Sequence, residues 1–62
     1  MKVREVIRML EQEGWRLVRQ RGSHRQFKHP FRSGVVTIAG RGGADLPIGT
    51  LKSIFRQAGI RR

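Results

Sequence analysis

Sixty-two residues without a cysteine leave room for one domain and exclude both disulfides and a cysteine-built zinc site as braces. The core must come from the 37% of residues that are apolar, and no apolar run approaches the ~18 residues of a membrane span. Fourteen Lys and Arg against four acids give a net charge of +10, so the expected partner is an anionic polymer, most simply a nucleic acid.

The chain opens with Val3, Val6, Ile7 and Leu10 at the i, i+3, i+4, i+7 spacing, which predicts an amphipathic helix over residues 2–13 ended by Gly14. Its charges cancel, so the whole cationic excess lies in residues 14–62. Three short segments of strand character follow. WRLVRQ (15–20) ends at Arg21-Gly22, HRQFKH (24–29) ends at Pro30, and GVVTIA (34–39) runs from a Ser33-Gly34 turn to Gly40. Spacers this short favour an antiparallel meander. After the glycine-rich loop GRGGAD, Leu51, Ile54, Phe55 and Ala58 repeat the helical spacing. Asp45 is the expected cap of this second helix, Pro47 suits its first turn, and Gly59 should stop it. The predicted fold is α+β, one domain over residues 1–62, in the order α-β-β-β-α, with two helices on one face of a three-stranded antiparallel sheet.

Alternation then sorts the middle strand. Phe27 is its only large apolar residue and should face the helices; Arg25 and His29 share its parity but lie at the strand ends. His24, Gln26 and Lys28 take the opposite parity and face water. Trp15, just after the first helix, is expected in the core. Arg56, Arg61 and Arg62 read as solvated ends of the second helix, whereas Lys52, nearer its N-terminus, is a candidate for phosphate.

Little standard chemistry fits these residues. The two histidines lie five apart on opposite strand faces with no nearby carboxylate, so no metal constellation is present and no cofactor is expected. GRGGAD lacks the Lys-Ser/Thr of a P-loop and the GxGxxG spacing. What remains is an imidazole, His24, among guanidinium groups. Such a pair of groups suits RNA cleavage: neutral imidazole accepts a ribose 2′-OH proton and arginine stabilises charge on the phosphate. Arg21, Ser23, Arg25, Lys28, Arg41 and Lys52 are the candidate RNA contacts. Two readings stand: a ribonuclease with His24 as general base, and a non-catalytic basic RNA-binding module in which His24 is one contact among many. The opening MKVREVIRMLEQ lacks the apolar block of a signal peptide, so the expected location is the cytoplasm, with no membrane partner.

The chain resembles the HicA toxins, the YcfA-like mRNA interferase family, over nearly its whole length. The resemblance is carried by VREVIRMLEQEGW, by RQRGSHRQF with its Gly22-Ser23-His24 and Phe27, by VTI, and by DLPIGTLKSIFRQAGI. It implies a double-stranded-RNA-binding-like fold, metal-independent endoribonuclease activity on mRNA with His24 as the catalytic histidine, and neutralisation by a HicB-like antitoxin. One position departs from the family pattern. Where many members carry Val-Pro-x-His, this chain reads Ile38-Ala39-Gly40-Arg41, and an arginine is a poor proton donor to a leaving oxygen.

Overall fold

The computed structural model describes residues 1–61; Arg62, expected to solvate the end of the last helix, lies outside the described residues. Val3, Val6 and Leu10 are fully buried on one face of α1 (Val3–Gln12), as their spacing requires. The sheet is formed by β1 (Arg16–Arg21), β2 (His24–Lys28) and β3 (Val36–Ile38), antiparallel in the order β1-β2-β3. The chain closes with α2 (Ile48–Ala58), which buries Leu51, Ile54, Phe55 and Ala58. This is the predicted α-β-β-β-α order. The strand bounds differ from the predicted ones: β1 is shifted by one residue, with Trp15 before it and Arg21 within it, while β2 ends before His29 and β3 is shortened to three residues.

One core holds these elements together. Trp15, Phe27, Val36 and Ile38 meet the apolar faces of both helices, and among the described residues no buried charged or polar residue interrupts them. Trp15 is wholly buried, and its indole N–H donates to the Ala58 carbonyl at 3.3 Å, tying the end of α1 to the end of α2. Each fully buried side chain of this size contributes about 1.5–3 kcal/mol, so a handful must carry a chain that has no covalent brace.

The helix ends depart from expectation. Asp45 does not cap α2: Pro47 occupies the N-cap position and no side chain bonds the first turn. Asp45 instead pairs across a β-bridge with Lys2, whose ammonium lies 3.8 Å from its carboxylate. The reason is that the glycine-rich loop serves the other helix. Ala44 and Gly42 carbonyls accept from the Val3 and Arg4 N–H groups at 2.9 and 3.1 Å, and the Glu5 carboxylate accepts from the Lys2 N–H at 2.8 Å. The orphan donors of α1 are thus met by backbone from residues 42–44. At the far end, Gly59 has φ 73°, and the Ile60 N–H reaches the Phe55 carbonyl at 2.9 Å, so it stops α2 as predicted.

Gly40 sets the entry of this capping loop. Its φ is 114°, and a Cβ there would stand 3.3 Å from Val3 Cγ2. Gly40→Ala should therefore cost about 1–3 kcal/mol of stability, read by denaturant unfolding; an unchanged midpoint would show that the loop does not cap α1.

Candidate nucleic-acid interface and catalytic site

Burial of Phe27 under the helices, at 1% exposure, turns its strand neighbours outward. His24 and Lys28 are exposed, and Gln26 is half-buried, on the face that carries no helix. β1 aligns beside them through the pairs Arg21 with His24, Arg19 with Gln26, and Arg16 with Lys28. Directly paired residues share a face, so three arginines join His24 on the open side. An odd–even count along β1 would have separated Arg16 from Arg19 and Arg21. The extra residue Val18 forms a bulge between Leu17 and Arg19, and that shift of register brings Arg16 round.

His24, Arg19, Arg21 and Gln26 line one shallow depression. The sequence alone does not mark Arg19 and Gln26 as site residues; the pairing register adds them. A second depression gathers Ser23, Arg25 and Arg41 with Gly22 and Gly42. Arg25 shares the parity of Phe27 and donates from Nη1 to the Gly40 carbonyl at 3.2 Å. The hairpin tip at Gly22-Ser23 therefore divides the candidate RNA contacts into two groups. Lys28 lies further along the open face, and Lys52 is exposed on α2, which packs against the opposite side of the sheet. A groove between β3 and α2, lined in part by Thr37, Thr50, Ser53 and Gln57, holds no ionisable side chain and so offers no acid–base chemistry.

The second histidine has a structural task. His29 Nε2 lies 2.8 Å from the Glu13 carbonyl oxygen, and its Nδ1 lies 3.0 Å from the Phe31 backbone nitrogen. A carbonyl only accepts and a backbone N–H only donates, so the ring is the neutral Nε2–H tautomer with both nitrogens engaged. Its ring also meets Trp15 edge-on at 5.3 Å. Such a ring is unavailable as a proton donor for chemistry beside His24. Gly14 belongs to the same arrangement: a Cβ there would come within 2.8 Å of His29 Nε2. Among the described residues no group of three or more His, Cys, Asp or Glu could hold a metal ion, and no helix is long and apolar enough to cross a membrane.

Comparison with known proteins adds family to this geometry. The family model described as HicA toxin of bacterial toxin-antitoxin matches residues 3–60. A solved structure titled HicA3 and HicB3 toxin-antitoxin complex is similar to this chain at 27% identity and a TM-score of 0.83, covering 100% of this chain and 98% of that one. No curated protein matches it.

The two histidines should respond oppositely to truncation. His29→Ala removes two hydrogen bonds and the Trp15 contact and should cost about 1–3 kcal/mol, whereas His24→Ala should melt with the parent protein. Equal melting temperatures for all three would refute the clamp.

Proposed function

This chain belongs to the HicA family of bacterial toxins, and from that premise we propose that it is a metal-independent endoribonuclease that cleaves mRNA with His24 as general base. One observation carries the reading: the exposed His24 imidazole shares a depression with the Arg19 and Arg21 side chains on the open face of the sheet. A phosphodiester drawn there by the guanidinium groups would bring its ribose 2′-OH to the imidazole. His24 takes the 2′-OH proton as the 2′ oxygen bonds to phosphorus. The bond from phosphorus to the 5′ oxygen breaks, leaving a 2′,3′-cyclic phosphate and a 5′-hydroxyl end. Arg19 and Arg21 offset the charge that accumulates on the non-bridging oxygens.

The leaving 5′ oxygen takes its proton from water in this scheme. Arg41 stands in the second depression and His29 is committed to backbone, so neither shares the depression that holds His24. Arg25, Ser23 and Arg41 are proposed to hold a neighbouring phosphate across the hairpin tip, and Lys28 one further along the open face. Lys52, on the helix side, is at most a peripheral contact. The lack of a second proton donor beside His24 is also what favours the other reading, a non-catalytic RNA-binding module on the same face.

Regulation follows from charge. The toxin in the similar solved structure is bound to HicB3, and we propose a HicB-like antitoxin whose acidic surface covers the His24 face in the cytoplasm. Co-expression with the product of an adjacent HicB-like reading frame should relieve growth arrest; harmless expression of this chain alone, in a host without such a gene, counts against toxin action.

His24→Ala should lower RNA cleavage by about 10²–10⁴-fold while RNA binding persists, and a substrate with a single 2′-deoxyribose at the scissile position should resist the parent enzyme. Undiminished cleavage by His24→Ala would reject the assignment. Salt-sensitive RNA binding by the parent with no cleavage products would establish the binding module instead.

A further inference from the structure

The open face extends along β2 to Lys28, and the chain just beyond the strand carries an unusual feature. Of the chain's one Trp and three Phe, three are buried and one, Phe31, is 91% exposed. It sits just past Lys28, after Pro30, and it is not left loose. His29 accepts the Phe31 N–H at 3.0 Å and is itself anchored on the Glu13 carbonyl at 2.8 Å. Its ring stands 6.1 Å from that of Phe31. A solvent-facing aromatic whose backbone is held by a hydrogen-bonded turn is a surface prepared for a flat partner.

Between His24 and this turn runs a regular row of polar and cationic side chains. Arg21 stands beside His24, Arg19 beside Gln26, and Arg16 beside Lys28. Same-face neighbours along a strand are about 6.5–7 Å apart, close to the phosphate repeat of an extended single strand. Each pair offers at least one guanidinium or ammonium group, and no acid stands among these six residues.

We propose that the β1–β2 open face is a track for single-stranded RNA, running from the scissile phosphate at His24 past Arg19 to Arg16 and Lys28, and ending where an unpaired base stacks on Phe31. This rests on RNA being the bound polymer, as proposed above, and goes beyond it by giving the strand a path and a base-stacking subsite. The cations along the track favour RNA over a protein partner: an exposed aromatic three residues past a row of phosphate-binding side chains suits nucleotides, whose flat bases alternate with charge. A duplex does not fit the subsite, because its bases are already stacked on one another. Arg32, next in the chain, is not part of the track, since its guanidinium lies against Gly59 at the C-terminal end of α2, where a cation is favoured.

The test measures binding rather than cleavage, using single-stranded RNA oligonucleotides with 2-aminopurine placed at successive positions and the full chain carrying His24→Ala. Added Phe31→Ala should weaken binding about 5- to 100-fold and abolish the fluorescence change at one position of the probe; Phe31→Trp should restore both. Arg16→Gln with Lys28→Gln should reduce the slope of log affinity against log salt by about 1.4, two contacts at roughly 0.7 each. Circular dichroism confirms folding of each variant. RNA binding that ignores all of these changes overturns the track while leaving RNA as the ligand; absence of RNA binding by every variant overturns the function proposed above as well. If Phe31→Ala spares RNA affinity and weakens only the complex with the antitoxin, Phe31 is a protein contact and the stacking subsite is rejected.

Discussion

Burial of Phe27 is the constraint on which the open face depends. A strand residue must point to one side or the other, and only one side of this sheet is covered by helices. Removing the Phe27 ring from water is worth about 1.5–3 kcal/mol, and a one-residue slip would forfeit it while driving His24 and Lys28 beneath the helices unpaired. The core therefore selects the register of β2, and the register selects which side chains meet solvent. The chemistry of the exposed face is a consequence of packing on the hidden one.

The same logic explains how a neutral helix and a cationic remainder share so small a chain. α1 and its C-cap residue Glu13 hold three of the four acids, and the helix contributes its apolar stripe to the core. Its N-terminal donors are satisfied by carbonyls of the glycine-rich loop, which must approach closely and has little side-chain bulk to prevent it. That employment removes the backbone of residues 42–44, though not the Arg41 side chain, from consideration as a phosphate cradle. Its best-placed N–H groups are not the point; its carbonyls are, and carbonyls repel phosphate.

Two histidines five residues apart illustrate how context, rather than residue type, assigns a role. His29 has both nitrogens bonded to backbone and an edge against Trp15, so its tautomer and position are determined by the fold. His24 is exposed in a depression it shares with Arg19 and Arg21, with no bonded partner holding its ring among the described residues. A catalytic base needs that freedom, and a structural clamp needs its loss. His29 holds the turn that follows β2, and His24 is the proposed base at the other end of that strand.

Much of this architecture was legible in local pattern. The 3.6-residue spacing of Val3, Val6 and Leu10, the repeat of it at Leu51, Ile54, Phe55 and Ala58, and the stop at Gly59 are properties of neighbouring residues, and so was the outward parity of His24 set by Phe27. Three features were decided only in three dimensions. Asp45 turned from its own helix to Lys2, because the helix end that needed the loop's backbone was some forty residues away in sequence. Arg16 joined Arg19, Arg21 and His24 through a bulge at Val18, and nothing in RLVRQR marks which residue will be left unpaired until the partner strand is alongside. Arg41 was separated from His24 and grouped with Arg25, whose opposite parity was legible from Phe27, because a sheet has two sides and a run of basic residues has none. Sequence thus determined which elements form and which way they face; the pairing of one strand with another, a long-range property, decided which charges stand together.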